Sequence, residues 1–484
     1  MKSTIEPYLP PEDSLPCFCF VLPELQYPSR MNLSQILLDK NYKERGGYPA
    51  ILYRNTVLTY KELSHKVNRL ADSLLKMGIR KWDRVMLRIP NSPEFIISQL
   101  AVNWIGAISV PTMPLLKARE LLSIENAVEP RAVIVGSGLT EEVEKARARF
   151  KSIQYFMGVN DETSPLPPGY IDFRELIDHG RNSIEPDRGN KDDPVLVLHT
   201  SGTTGLPKGA LHVPSGLLGG TDVFGKYCLQ LRKNDVIGGH PSMAFAYGNY
   251  GLIMLPFRFG ITSSIIDSFR PEKMFETVEK HKITILFSVP TAYRTMLSIL
   301  PSASKRFNLH SLRLLVSAGE TMNEQLYYQL KELLPQVDVL EHIGCTESYA
   351  AICSSRPGMV KPGSMGVAAP GVEVKIFDEK GEECPPFVPG LLAFKGPMGF
   401  RYWGDPERQK QTVRKGWNYT GDVAYKDTDG FFWYISRSDD VIKSAAYRIA
   451  PQEVEMVINE HLSLIHISEP TRPLYISYAV FCLK

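Results

Sequence analysis

The chain carries 484 residues, with 55 Lys and Arg against 53 Asp and Glu, a net charge of +2 and 43% hydrophobic residues. That balance gives no electrostatic grip on nucleic acid or an anionic membrane surface, and no stretch reaches the roughly 18 apolar residues that a bilayer span needs. The seven cysteines (17, 19, 228, 345, 353, 384 and 482) contain no CxxC pair and no zinc spacing, which argues against a structural metal and for a reducing compartment.

Residues 1–20 hold acids and four prolines where a secretory signal needs an unbroken apolar run, so a cytoplasmic protein is expected. Residues 59–77 predict an amphipathic helix: Thr59 and Glu62 form a capping box, and Leu63, Val67, Leu70, Ala71 and Leu74 keep helical spacing. Strand 85–89, helix 93–104, strand 107–110, a helix from Ala118 and strand 132–135 follow. The rhythm resumes with strand 195–198, a helix from Ser215, strand 283–287, a helix after Pro290, strand 312–316, a helix from Thr321 and strand 337–340. This alternation predicts α/β architecture with doubly wound sheets, whose ligand sites lie at the carboxyl ends of the strands. From about residue 359 the texture turns Gly- and Pro-rich, with short alternating runs such as VEVKIF and GFFWYI, which predicts an appended β-rich subdomain.

The stretch 195–212, VLVLHTSGTTGLPKGALH, passes from four apolar residues into Thr200, Ser201, Gly202, Thr203, Thr204, Gly205 and Lys208. Glycines let backbone N–H groups approach an anion, the hydroxyls add donors, and one ammonium adds a point charge, which suits a polyphosphate. No Gly-Lys-Ser/Thr tripeptide closes the loop, so it is not a Walker loop. Three more segments carry chemistry-bearing residues: Ser317, Ala318, Gly319 and Glu320; Thr346 and Glu347 within EHIGCTES; and Asp422 within YTGD. A carboxylate beside a hydroxyl can hold Mg²⁺ and touch phosphate, and a carboxylate on a tight turn can accept hydrogen bonds from a ribose diol. Taken alone, each of these reads more readily as a surface pair or a polar turn.

Together and in this order, TSGTTGLPKG, SAGE, IGCTES, YTGD and RSDDVIK resemble the motifs of the adenylate-forming superfamily, which includes acyl- and aryl-CoA synthetases, firefly luciferase and peptide-synthetase adenylation domains. The resemblance implies an adenylate-forming enzyme fold and ATP-dependent activation of a small carboxylic acid to an acyl-adenylate, then to a thioester of coenzyme A. It gives the 200–208 loop the ATP phosphates. It puts Ser317 to Glu320 at adenine, Asp422 and Arg437 at ribose, Thr346 at the α-phosphate and Glu347 on Mg²⁺. Asp439 becomes a domain hinge and Arg448 a phosphate neighbour, so that Thr346, Glu347, Lys208 and Arg448 form the catalytic set.

For the acid, Phe245, Ala246, Tyr247 and Gly248 are the informative residues. Phe245 and Tyr247 can wall a flat pocket with Gly248 leaving room for a ring, or they are core aromatics beside a turn. FAYG resembles the matching segment of benzoate-type CoA ligases, and LPELQYP with MNLSQILLD resembles 2-aminobenzoate-CoA ligases and, less closely, medium-chain acyl-CoA synthetases. A non-catalytic ATP-binding remnant is the alternative from another class.

The expected organisation is an AMP-binding domain over 1–436, a hinge and shortened second domain over 437–462, and a tail over 463–484 that resembles translated vector read-through. The lysine that the family carries late in its second domain has no counterpart in that tail, and Ala446 stands where relatives usually have glycine.

Overall fold

The computed structural model describes residues 5–160, 165–200 and 208–438, and the backbone of two short strands, Ile442–Ser444 and Tyr447–Ile449. Two large sheets organise the described chain. The first has seven strands in the order Lys208–His212, Leu196–Thr200, Ile108–Pro111, Arg84–Arg88, Ala132–Gly136, Tyr155–Val159 and Ile171–Asp172. The second has nine, and its centre runs Asp338–Ile343, Leu314–Ser317, Ile285–Ser288, Val236–Gly239 and Thr262–Ile265, all parallel.

The strands are buried on both faces, which is why they read as continuous apolar runs rather than as alternating ones. In the first sheet Val85, Leu87, Ile134 and Leu198 face a core shared with the second sheet, whose Ile285, Phe287, Val316 and Leu340 meet it from the other side. Met86, Val133, Val135 and Val197 face outward onto the helices Ala118–Val128 and Thr140–Arg147. Leu286, Leu315 and Val339 cover the outer face of the second sheet, against Pro271–His281 and Glu324–Leu333. The helix Tyr60–Lys76 shows how local sequence feeds this core. Thr59 accepts from the Glu62 amide, the Glu62 carboxylate accepts from the Thr59 amide, and Leu63, Val67, Leu70, Ala71 and Leu74 are fully enclosed. Each large apolar side chain so buried stabilises by about 1.5 to 3 kcal/mol.

A smaller antiparallel sheet carries Glu373–Phe377, Gly390–Lys395, Val413–Arg414, Trp417–Lys426 and Phe432–Arg437, matching the β-rich texture after residue 359. Among the described residues no helix is long and apolar enough to cross a membrane.

Four local expectations are corrected. The helix expected from Thr321 starts at Glu324, because the Asn323 side chain accepts from the Leu326 amide and caps it there. The strand expected to end at Leu340 continues to Ile343, so Glu341 and His342 are strand residues. The reading of strand 195–198 followed by a helix from Ser215 missed a strand: Leu196–Thr200 returns antiparallel as Lys208–His212, with Thr200 opposite Lys208. Asp422 is not on a tight turn but within the ten-residue strand Trp417–Lys426, beside a register shift.

Candidate active site

At the carboxyl ends of the second sheet's strands opens a cleft of about 590 Å³, lined by Met365 and by residues of three other parts of the chain. Gly319, Glu320 and Thr321 come from the loop after Leu314–Ser317, Glu341 to Gly344 from the end of the neighbouring strand, and Asp422, Tyr434 and Arg437 from the small sheet. The sequence-expected Gly319, Glu320, Asp422 and Arg437 therefore share one wall system, whereas Ser317 and Ala318 are buried beneath it. Gly319 needs its φ of +88°, a left-handed conformation that glycine adopts without strain. Glu320 is held by Thr291, whose amide and hydroxyl both donate to its carboxylate.

The small-sheet wall is built by pairing. Asp422 and Arg437 are register partners on adjacent strands, and the Arg437 guanidinium donates to Asp422 Oδ1 at 2.8 Å and to the Thr420 carbonyl at 3.0 Å. Between them Gly421 has φ +80°, and a Cβ there would lie 2.9 Å from an Arg437 nitrogen. The glycine of the YTGD string is thus demanded twice, by backbone conformation and by the room the guanidinium needs. On the sheet wall, burial pushes Glu341 up to about 8; its Oε1 accepts from the Met322 amide at 3.0 Å. It is protonated at neutral pH.

Thr200 and Lys208, half-buried, stand opposite each other at the mouth of the hairpin whose loop was expected to hold phosphate. Ser201, Gly202, Thr203, Thr204 and Gly205 lie outside the described residues, as do Asp439, Ala446 and the segments 451–462 and 463–484. Arg448 lies on the strand Tyr447–Ile449, described as backbone only.

Glu347 and Thr346 follow the cleft-lining Gly344 in chain order and are half-buried. Glu347 Oε1 accepts from the Tyr402 hydroxyl at 2.9 Å. Tyr402 is itself fixed by its neighbours: Gln409 accepts from its amide at 3.0 Å, and residues 401–403 run along the Lys208–His212 strand, with bonds from Leu211 N to Arg401 O and from Trp403 N to Gly209 O. Sequence reasoning missed Tyr402; the Gly- and aromatic-rich run GFRYWGDPE was the signal available. Magnesium takes oxygen ligands and needs few from protein. The oriented Glu347 carboxylate fits that role, and the described residues hold no group of three or more His, Cys, Asp or Glu that would make a fuller cage.

The expected acid-side residues separate. Tyr247 is half-buried and donates to the carbonyls of Ser288 at 2.9 Å and Val316 at 2.8 Å, so its ring stands across the strand ends. Its neighbours are Phe287 and His342, each 5.4 Å away between ring centroids. Ala246 is buried, and Phe245 is 39% exposed. Gly248 is a correction: it leaves no room for a ring, because a Cβ there would lie 2.2 Å from the Ser242 carbonyl oxygen and 2.4 Å from that of Pro241. Its smallness lets the short helix Ala246–Asn249 close on the preceding loop. His342, not foreseen, sits on this side too, 4.8 Å from Phe224 at the start of the π-turn Phe224–Cys228.

Residues 38–403 match the family model described as AMP-binding enzyme. The mitochondrial acyl-coenzyme A synthetase ACSM3 of Mus musculus is 30% identical over 425 residues, covering 86% of this chain and 72% of that protein. An acetyl-coenzyme A synthetase of Bacillus subtilis is 30% identical over 416 residues, covering 84% of this chain and 72% of that protein. Among solved structures, an anthranilate CoA ligase in complex with anthranoyl-AMP superposes with a TM-score of 0.85 at 28% identity, covering 90% of this chain and 83% of its own. A benzoate CoA ligase from Burkholderia xenovorans does so with a TM-score of 0.80 at 26% identity, covering 89% and 84%.

Proposed function

This chain belongs to the AMP-binding enzymes, acid–thiol ligases of the acyl- and aryl-CoA synthetase kind, and on that premise we propose that it activates an aromatic acid of the 2-aminobenzoate or benzoate type. The observation that carries the reading is the cleft itself. It gathers the 319–321 loop, the end of the Asp338–Ile343 strand, and the Asp422–Arg437 pair around a volume sized for a nucleoside, beside the ring cluster of Tyr247, Phe287 and His342.

In the reaction so proposed, the acid carboxylate attacks the α-phosphorus of ATP and pyrophosphate leaves. Asp422, steadied by Arg437, accepts hydrogen bonds from the ribose diol, and Gly319 lets the loop backbone lie against the base. Lys208 and the Thr346 hydroxyl meet the charge that grows on the transferring phosphoryl group; groups fixed in advance of the reaction stabilise such charge without reorganising. Glu347, aimed by Tyr402, would hold Mg²⁺, which neutralises phosphate charge when bound. In the second step the coenzyme A thiol attacks the acyl-adenylate carbonyl and AMP departs.

The test is pyrophosphate release with ATP across a panel of aromatic, acetic and medium-chain acids. Release with an aromatic acid, at higher kcat/KM than with any straight-chain acid, is the expected outcome. A medium-chain acid turning over best would replace the aromatic reading with an aliphatic one, and no release with any acid would leave ATP binding alone.

A further inference from the structure

Cys17 and Cys19 lie outside the proposed chemistry, yet their sulfurs are in contact. Cys17 is exposed, Cys19 is half-buried, and the two Sγ atoms are 3.4 Å apart. An extended backbone puts positions two apart on one side, so the pair shares a face while Phe18 between them turns away, its ring under the Arg401 guanidinium at 4.8 Å. The other cysteines among the described residues are less accessible than Cys17: Cys228 and Cys353 are buried, and Cys345 and Cys384 are half-buried.

The segment that carries the pair is a strap across the small sheet. The Cys17 amide donates to the Gly416 carbonyl at 3.1 Å, the Cys19 amide donates to the Gly396 carbonyl at 2.8 Å, and Phe18 bridges to Gly396. Just ahead of the pair, the buried Gln409 side chain donates to the carbonyls of Ser14 and Phe400, both at 2.9 Å, and accepts from the Tyr402 amide at 3.0 Å. One glutamine therefore ties the strap to the run 400–402.

We propose that Cys17 and Cys19 form a redox modification site, at which a small-molecule disulfide oxidises the dithiol to an intrachain disulfide and so loosens the strap. The exposed Cys17 sulfur, as thiolate, attacks one sulfur of the small disulfide; a mixed disulfide forms and one small thiolate leaves. The Cys19 sulfur, on losing its proton, then attacks Cys17 Sγ, and the second small thiolate leaves. Two protein thiols are oxidised to one disulfide, the small disulfide is reduced to two thiols, and the two protein protons pass through water to the leaving thiolates. Partial burial, then the contact with Cys17, pushes the Cys19 thiol up to about 11, which makes Cys17 the first attacker. In the mixed disulfide the Cys17 charge and S–H are gone while the Lys395 ammonium still favours a Cys19 thiolate, so Cys19 is suited to the second step. A disulfide bond is about 2.05 Å long, so closure draws the sulfurs together by roughly 1.3 Å and shortens a segment that its two backbone bonds keep spread.

The experiment equilibrates the full chain with excess hydroxyethyl disulfide, alkylates the remaining thiols, maps the peptides by mass, and follows amide hydrogen exchange in the oxidised and reduced forms. The peptide holding Cys17 and Cys19 should become lighter by two hydrogens and return to its first mass with dithiothreitol. Peptides covering 14–19 and 400–403 should exchange at least about fivefold faster in the oxidised chain, as a segment whose protecting bonds have weakened does. Cys17→Ser should abolish the reaction at this peptide, and Cys19→Ser should stop at the mixed disulfide on Cys17. Absence of the Cys17–Cys19 disulfide, or pairing of either residue with a different cysteine instead, overturns the site. An oxidised pair with exchange unchanged in both peptides overturns its link to the strap.

Discussion

In and beside the cleft several polar side chains are already paired: Arg437 holds Asp422 and the Thr420 carbonyl, Thr291 holds Glu320, and Tyr402 holds Glu347. Around Tyr247, by contrast, the rings of Phe224 and Tyr247 pack on the His342 imidazole, whose Nδ1 has no partner among the described residues. The contrast separates two tasks. On the proposed reading, the nucleotide common to the family's reactions would meet a preorganised frame, whereas the acid, which varies between relatives, would meet a wall lined by rings.

The sharpest way to break this comparison is to damage the preorganised side. Asp422→Ala should lower kcat/KM for ATP by about 10- to 100-fold in the pyrophosphate assay, the scale of losing hydrogen bonds between a carboxylate and the ribose diol. An Asp422→Ala enzyme with unchanged ATP kinetics would show that the pair is merely structural. A smaller effect should appear in stability against pH. Burial holds His199 at about 4 and His212 and His342 at about 3, below the ordinary value near 6.5. The unfolded chain therefore takes up protons that the native chain refuses, so stability falls as pH drops through about 6.5 and levels off only near 3 to 4. At pH 5 each such ring should cost on the order of 2 kcal/mol, read from urea midpoints at pH 7 and pH 5. His342→Phe should recover its share of that loss, and an identical pH response would argue that the ring is not buried neutral.

Tyr402→Phe keeps the ring and removes only the hydroxyl that aims Glu347; turnover should drop about tenfold, with a raised Mg²⁺ requirement and little change in the thermal midpoint. The smallest effect is expected from Gly421→Ala. A side chain at φ +80° against the guanidinium should cost about 1 kcal/mol in stability and weaken ATP binding a few-fold, measured by calorimetry. A neutral outcome would mean that Arg437 shifts freely, and the nucleoside frame would then be looser than its hydrogen bonds suggest.

How far these features were legible in the sequence follows from how local each one is. The Thr59–Glu62 box, the apolar spacing of Tyr60–Lys76 and the strands Arg84–Arg88, Ile108–Pro111 and Ala132–Gly136 depend on neighbours within a few residues and stand close to where expected, whereas Val236–Gly239 and Thr262–Ile265, at the centre of the second sheet, were not foreseen. The motif strings marked Gly319, Glu320, Asp422 and Arg437 through resemblance, and the cleft gathers them. The partnership of Asp422 with Arg437 was not readable, because it arises from strand register across a bulge rather than from spacing. The same holds for the antiparallel return opposite Thr200 and for the Tyr402 hydroxyl at Glu347, a bond across 55 positions of sequence. Gly248 misled because a small residue beside aromatics looks like space for a ligand, whereas here it is space for two carbonyl oxygens. His342 was hidden in plain view within VLEHI, since nothing short of its ring neighbours distinguishes a satisfied core histidine from an unsatisfied one.

The run that carries Tyr402 has one more consequence. Lys208–His212 is the terminal strand of the seven-stranded sheet, and its outer row of backbone groups is covered by residues 401–403 through the Leu211–Arg401 and Gly209–Trp403 bonds. An uncovered strand edge of this kind recruits other chains into cross-chain pairing. Changes that loosen 400–404 should therefore be recognised first by poor recovery and aggregation at high protein concentration, before any defect in turnover can be measured.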